Sequence, residues 1–102
     1  MKSFRLSTDA AADIREIRNY IAEDSIDAAR RFRLKLLAAC RQLGTNPGLG
    51  HKRADLAGDR PLLFWPAGNY LIIYRPQGTH IDIIAVAHGG RDIPLLLERR
   101  GV

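Results

Sequence analysis

The chain has 102 residues, of which 46% are hydrophobic and 26% are charged, a composition that excludes a disordered chain and fits one globular domain. One cysteine excludes an internal disulfide and a multi-cysteine zinc site, and no apolar run approaches the roughly 18 residues of a membrane span. The net charge of +5 favours acidic partners, either nucleic acid or an acidic protein segment, although a solvated basic surface explains it equally well. The N-terminus does not have the form of a signal peptide, so we expect a cytoplasmic protein without a membrane partner.

The first segment predicts a strand followed by a helix. The stretch "KSFRLS", residues 2–7, alternates weakly between apolar and polar residues, which is typical of a short strand. The oxygens of Ser7, Thr8 and Asp9 can cap the helix that follows. Apolar residues then recur at helical spacing, at Ala10, Ile14, Ile17 and Ile21. The charged residues of this segment lie off the stripe and can stay exposed to solvent, namely Asp13, Arg15, Glu16 and Arg18.

A second helix follows the short break "AEDS", and this break predicts an antiparallel helix hairpin. Asp24 or Ser25 can cap this helix, while Gly44 and Pro47 end it. Its apolar stripe consists of Ala29, Phe32, Leu36, Cys40 and Leu43, which makes Cys40 a packing residue. Its other side is basic, with Arg30, Arg31, Arg33, Lys35 and Arg41.

The remainder predicts a loop, three strands and a short helix. Residues 47–59 have the composition of a loop, and the stretches "PLLFW", "NYLIIY" and "IDIIAVA" have the composition of strands joined by tight turns. Pro61 and Pro66 place the first of these strands at a sheet edge, because proline cannot donate to a central ladder. The last strand is nearly all apolar and should be interior. The final helix is "PLLLERR", with Asp92 near its N-terminus.

This order of elements predicts an α+β fold in a single domain, residues 1–102. The helix hairpin would bury its stripes on one face of a four-stranded antiparallel sheet, in the order β-α-α-β-β-β. A short C-terminal helix would follow the last strand.

Four stretches follow one another along the chain: "LSTDAAADIREIRNYIAED", "NPGLGHKRADL", "GNYLIIYR" and "VAHGGRD". In this order they resemble ParE-type toxins of the ParE/RelE toxin–antitoxin superfamily. The opening helix matches at Leu6, Ser7, Ala10, Asp13, Ile14, Ile17, Tyr20 and Ile21. The loop matches at Pro47, Leu49, Gly50 and Arg53, and the middle strand matches at Tyr70, Ile72, Ile73 and Tyr74. The end of the last strand matches at His88, Gly89, Arg91 and Asp92.

The resemblance implies the toxin of a type II toxin–antitoxin pair. ParE-like members poison DNA gyrase by binding it, without hydrolysing anything and without a cofactor or metal, and a ParD-like antitoxin neutralises them. Contact with nucleic acid would then be indirect, through gyrase or the antitoxin. RelE-like relatives instead cut ribosome-bound messenger RNA, so that activity is the alternative, and fold alone cannot choose between the two.

The residues favour binding over RNA cleavage. Attack by a 2′-hydroxyl needs a base, an acid and cations that stabilise the phosphorane. By resemblance to RelE-like enzymes, Arg91 matches one catalytic arginine and His88 lies beside it. The expected second arginine and a terminal tyrosine fall on apolar positions, namely Phe64 or Trp65, and Leu96 or Leu97.

The stretch "HGGRD", residues 88–92, allows two interpretations. As a turn, Gly89 and Gly90 would adopt positive φ, Asp92 would cap the last helix, and His88 would be half-buried and donate to the backbone. Arg91 would pair with a carboxylate such as Asp82 or Asp59. Alternatively, Arg91 and His88 form an exposed contact or catalytic patch.

Other candidate partner-binding residues lie on three segments. Arg53 and Arg60 belong to the long loop or its border, and Trp65 is either core cover or an interface anchor. Arg30 and Arg33, on the basic helix face, are either solvated or receive an acidic antitoxin segment. The edge of the "PLLFW" strand would be a second docking site, by strand addition.

Overall fold

The structure, a computed structural model, describes residues 3–102, so Lys2 of the predicted first strand lies outside the described part. The strands are β1 (Ser3–Leu6), β2 (Leu63–Ala67), β3 (Tyr70–Pro76) and β4 (His80–His88). The helices are α1 (Thr8–Ala22), α2 (Ile26–Thr45), the one-turn α3 (Ala54–Ala57) and α4 (Ile93–Arg100). A 3₁₀ turn, Pro47–Leu49, follows α2, so this turn and α3 interrupt residues 47–59, which were predicted to be a loop. Within the described range, every helix is too short or too polar to span a bilayer.

The helices begin at the predicted caps. The side chain of Ser7 accepts the Ala10 N–H at 3.0 Å, and that of Ser25 accepts the Ala28 N–H at 3.1 Å. Asp92 accepts the Leu95 N–H at 3.1 Å at the start of α4. These oxygens satisfy backbone donors that have no partner inside the helix.

The sheet has the order β1-β4-β3-β2 and is mixed. The three-stranded antiparallel meander is confirmed, with β2 at an edge and β4 inside the sheet. The prediction that the whole sheet is antiparallel is wrong, because β1 pairs with β4 in parallel. Apolar alternation is the same in both pairings, and the long connection between β1 and β4 permits the parallel direction.

Helices cover both faces of the sheet, whereas the sequence predicted helices on one face only. The first core lies between the sheet and the α1–α2 hairpin, and includes Leu36, Cys40, Ile72 and Tyr74. The second core lies on the other face, beneath α4 and α3. It is built from Ala57, Leu62, Phe64, Ile73, Ile84, Ala85, Ala87, Ile93, Leu96 and Leu97. Both faces need cover because β4 is apolar on both sides.

Asp13 is buried, so the prediction that it stays exposed is wrong. The residue is 5% exposed, and its carboxylate accepts the Val86 N–H at 3.0 Å. It also forms a bidentate ion pair with Arg100, with N–O distances of 2.6 and 2.7 Å. Because β1 ends at Leu6 while β4 continues to His88, the β4 backbone beyond β1 lacks a strand partner on that side. The carboxylate supplies an acceptor there, so Asp13 and Arg100 tie α1, β4 and α4 together.

Candidate functional site

The turn that follows β4 places Arg91 and His88 on the surface. His88 is exposed, and its Nδ1 accepts the Gly90 N–H at 3.0 Å, so the neutral ring carries its proton on Nε2. The predicted half-buried histidine that donates to the backbone is therefore wrong. The backbone N–H of Arg91 donates to the His88 carbonyl at 3.0 Å, which closes the turn.

The two glycines of this turn do not use left-handed backbone. Within residues 3–102 the glycines with positive φ are Gly58, Gly68 and Gly101, so the prediction of positive φ at Gly89 and Gly90 is wrong. Gly90 instead leaves room for the His88 ring, because a Cβ at that position would lie 3.3 Å from the Nδ1 that accepts the Gly90 N–H.

Arg91 does not make the predicted ion pair. In residues 3–102 the ion pairs are Arg53–Asp55, His80–Asp82 and Arg100–Asp13. Asp82 is thus engaged elsewhere, and the Arg91 side chain is exposed to solvent.

A row of rings extends from His88 towards α2. The Tyr70 ring meets the His88 ring edge-on at 5.6 Å, and the Phe32 ring meets Tyr70 at 5.2 Å. Beside this row, a largely apolar cavity of about 290 Å³ opens between α2 and the β2–β3 turn, with Lys35 at its wall. We call Arg91, His88, Tyr70 and this cavity the β4-end surface. It combines an exposed arginine, which takes part in none of the ion pairs found in residues 3–102, with a row of rings that leads to an apolar recess at Tyr70.

The predicted loop cations are already engaged. Arg53 donates to both carboxylate oxygens of Asp55 at 3.0 and 2.8 Å, and this hydrogen bond raises the pKa of Arg53 and lowers that of Asp55. Arg60 donates to the carbonyls of Ala57 and Val102. Both arginines line a cavity of about 620 Å³ with Lys52, but their guanidinium groups serve local structure.

The outer edge of β2 is closed to strand addition, contrary to the prediction. The N–H and carbonyl of Phe64 both bond to His51 at 2.8 Å, and Pro66 has no N–H to offer. The His51 ring also stacks on Trp65, with 6.1 Å between ring centroids. Trp65 is half-buried against the first core, which agrees with core cover rather than a free anchor.

A groove runs between α1, α2 and β1 on the outside of the helix hairpin. Its cavity measures about 230 Å³ and is lined by Leu6, Ala11, Ile14, Arg15, Arg18, Arg33 and Leu37. We call these seven residues the basic groove, because three arginines surround an apolar floor. Arg33 lies in it as a predicted candidate, whereas Arg30 is exposed on α2 outside the lining. Leu34, next to the groove on α2, is 59% exposed.

Sequence reasoning missed most of the basic groove. Arg15 and Arg18 had been assigned to the wet side of α1, and Leu6 to the first strand. The available signal was spacing: Ala11, Arg15 and Arg18 are four and three residues apart, so they form one row on α1 next to the buried stripe. Only the packing of α1 on α2 shows that these arginines and Arg33 share one groove.

The described residues offer little for metal or thiol chemistry. In the part of the chain that the structure describes, no three His, Cys, Asp or Glu side chains converge as metal ligands. Burial raises the pKa of Cys40 to about 11, so its thiol remains protonated at neutral pH.

Comparisons with known proteins agree with the architecture. Residues 4–93 match a family model described as ParE toxin of type II toxin–antitoxin system, parDE. A solved structure described as the chromosomal ParDE TA system from P. aeruginosa superposes with a TM-score of 0.71. The match covers 86% of this chain and 96% of that chain at 18% identity, which demonstrates a shared fold. A search of curated protein sequences found no significant match.

Proposed function

Because the chain belongs to the ParE toxin family of type II toxin–antitoxin systems, we propose that it binds DNA gyrase and traps the enzyme with its DNA broken. The family match over residues 4–93 is the observation that carries this proposal, since gyrase poisoning is what resemblance to ParE toxins implies. In this proposal the toxin catalyses no reaction, needs no cofactor and acts in the cytoplasm, where gyrase works.

The β4-end surface is the candidate for the gyrase contact. Arg91 is exposed, and the ion pairs among residues 3–102 do not include it. The apolar cavity beside Tyr70 can receive a partner side chain, and arginine with aromatic residues is the usual composition of an interface hot spot. This combination supports binding of a large partner at this end of the sheet.

The basic groove is the candidate site for a ParD-like antitoxin. Arg15, Arg18 and Arg33 would attract an acidic segment, and the apolar floor would bury its hydrophobic side chains. A disordered antitoxin tail that folds into this groove would lose conformational entropy on binding, and the buried apolar area would offset that loss.

Strand addition by the antitoxin would use β1 rather than β2. The outer edge of β2 is occupied by His51, whereas β1 is the other edge strand of the sheet. The side chain of Leu6 connects β1 to the basic groove, so one segment could contact both.

One observation supports the alternative, a RelE-like ribosome-dependent nuclease. The ring centroids of Tyr70 and His88 are 5.6 Å apart, so the structure adds a hydroxyl-bearing side chain to the pair of His88 and Arg91. Against it, His88 Nδ1 already accepts a backbone N–H, and Arg91 is the single arginine in this turn. The set therefore supports gyrase binding better than stabilisation of a phosphorane.

A supercoiling assay with purified toxin and gyrase tests the proposal. We expect loss of supercoiling and accumulation of broken DNA, and we expect both effects to weaken in Arg91→Ala but not in Arg31→Ala. Arg31 is an exposed arginine on α2 outside the two proposed surfaces, so it controls for loss of charge.

Three results would count against the proposal. Unaffected supercoiling would remove gyrase as the target. Cutting of ribosome-bound message that Arg91→Ala abolishes would establish the nuclease. Expression that harms no cell would indicate a module that only binds its antitoxin.

A further inference from the structure

Charged side chains from three neighbouring strands meet on the part of the sheet that lies towards the β3–β4 turn. Arg5 of β1 is in register with Asp82 of β4, and Asp82 is in register with Arg75 of β3. His80 lies two residues before Asp82 on the same strand. We call Arg5, Arg75, His80 and Asp82 the open-face cluster.

The alternation of the strands places this cluster on the face opposite the helix hairpin. The neighbours Phe4, Tyr74, Ile81 and Ile83 all pack into the first core. Since successive side chains of a strand point to opposite faces, the four cluster residues belong to the face that carries α4. None of the four is in the second core, which is concentrated under α4 and α3.

The hydrogen bonds leave the two arginines available. The carboxylate of Asp82 accepts from His80 Nε2 and from Gln77 Nε2, each at 3.1 Å. Within residues 3–102 neither Arg5 nor Arg75 pairs with a carboxylate. The carboxylate between the two arginines is therefore hydrogen-bonded to His80 and Gln77, and its single negative charge offsets only part of the charge of the two guanidinium groups.

Two buried nitrogen atoms in the cluster have no hydrogen-bond partner among the described residues, namely Arg75 Nε and His80 Nδ1. Buried polar atoms are nearly always satisfied, so such atoms require an explanation, and an external acceptor is one. Arg75 Nε carries a proton and can donate to such an acceptor. His80 Nδ1 gives no such support, because it is the acceptor nitrogen of a neutral ring whose Nε2 donates to Asp82.

We propose that the open-face cluster binds phosphate groups of a nucleic-acid backbone. Guanidinium groups match phosphate oxygens in geometry and charge, and strands about 4.8 Å apart place Arg5 and Arg75 roughly 10 Å from each other. The two arginines and Asp82 carry a net charge of +1 when His80 is neutral. The four residues of the open-face cluster lie outside both the β4-end surface and the basic groove.

The biological role of the site rests on the proposed function, because gyrase is the protein that would bring toxin and DNA together. A toxin that holds gyrase through the β4-end surface could contact the bound DNA through this cluster. Direct phosphate contact would replace the expectation that the toxin meets nucleic acid only through gyrase or the antitoxin.

Fluorescence anisotropy with a labelled DNA duplex of about 20 base pairs tests the site without gyrase. We expect Arg5→Gln and Arg75→Gln each to lower the salt dependence of log affinity by about 0.9, the value for one lost phosphate contact. Arg31→Gln removes the same charge from the hairpin side and should leave the slope unchanged. Arg5 is exposed, so its variant remains informative if Arg75→Gln weakens folding.

A second pair of variants changes the charge in the opposite direction. Asp82→Asn should strengthen binding several-fold, because it removes the carboxylate between the two arginines. Asp27→Asn removes an equal charge from an exposed position in α2 and should have a smaller effect.

Several outcomes would overturn the assignment. Equal losses in Arg5→Gln and Arg31→Gln would indicate non-specific attraction to a basic protein, as would equal gains in the two aspartate variants. No binding to DNA or to RNA of the same sequence would exclude a backbone site, and preference for an acidic peptide would indicate a protein partner. If the toxin binds DNA as expected but leaves supercoiling by gyrase unaffected, the gyrase proposal alone is wrong and the phosphate site stands.

Discussion

At the scale of single residues, the buried pair of Asp13 and Arg100 is the clearest determinant of stability. The carboxylate receives two guanidinium N–H groups and one backbone N–H, so burial leaves it well hydrogen-bonded. The hydrogen bond to Asp13 raises the pKa of Arg100. A buried ion pair of this kind adds little net stability, but removal of one partner leaves the other as a buried charge without a counter-charge.

Asp13→Ala should therefore destabilise the fold strongly. We expect a loss of about 3 to 5 kcal/mol in the free energy of unfolding, because Arg100 keeps its charge and Val86 N–H loses its acceptor. Urea denaturation measures it, with Asp24→Ala, an exposed position between the helices, as the control. Asp13 would not be structural if both variants had equal midpoints.

The Cys40 thiol predicts a loss of stability at alkaline pH. Its pKa rises from 9.0 to about 11 because burial opposes the thiolate, so the unfolded chain ionises first as pH increases. The contribution of the neutral thiol is full below pH 9 and is lost between pH 9 and 11, by roughly 2 to 3 kcal/mol. Between pH 9 and 11, the denaturation midpoint of Cys40→Ala should fall less steeply with increasing pH than that of the unmodified protein. Burial also raises the pKa of Tyr74, so some slope should remain.

At the scale of elements, α2 determines how closely the hairpin approaches the sheet. Gly44, in the last turn of α2, lies against the backbone of Ser3, and a Cβ added there would come within 2.9 Å of the Ser3 carbonyl carbon. The approach of helix to strand thus depends on the absence of one methyl group. The same close contact brings β1, and with it Leu6, to the end of the basic groove.

Gly44→Ala should destabilise the fold by about 1 to 3 kcal/mol, because the added methyl group meets rigid backbone. This loss opposes the gain of about 1 kcal/mol that alanine usually brings to a helix. Thermal denaturation can detect the net change. Gly48→Ala is the matched control, since a Cβ there meets no atom within 4 Å. A gain in stability for Gly44→Ala would contradict this prediction, because it would show that the β1 backbone can shift at little cost to make room for the methyl group.

At the scale of the whole molecule, α2 separates two candidate surfaces. Its residues Arg33 and Leu37 line the basic groove with α1, while Phe32, Lys35 and Ala39 line the cavity of the β4-end surface. Antitoxin and gyrase would therefore approach on different flanks of one helix. Neutralisation would then depend on the bulk of the bound antitoxin, or on wrapping, rather than on identical contacts.

This arrangement predicts separable variants. Arg18→Glu should weaken antitoxin binding at least tenfold by placing a like charge against an acidic segment, while gyrase inhibition persists. Arg91→Ala should reverse that pattern. Titration calorimetry with the antitoxin and the supercoiling assay measure the two effects, and Arg31→Glu controls for charge. Loss of both activities in either variant would mean that the surfaces overlap.

The sequence predicted local features well because each depends on neighbouring residues. Ser7, Ser25 and Asp92 are caps by their chemistry, and the prolines around β2 exclude it from the centre of a sheet. It failed where partners are distant along the chain. Asp13 looked like a surface residue because Arg100 lies 87 positions away. His88 is a local failure, because its ring turns back to accept the N–H of Gly90, and the direction of the ring is not encoded in the residue pattern.

The sequence by itself determined the order of the four strands and of α1, α2 and α4, the helix caps and the two apolar helix stripes, since periodicity and capping chemistry act within a few residues. Only the tertiary structure decided the direction of β1, the second core under α4, the closed edge of β2 and the grouping of three arginines in one groove. These features arise from contacts between residues remote in the chain, and each depends on the packing that satisfies buried backbone and apolar surface together.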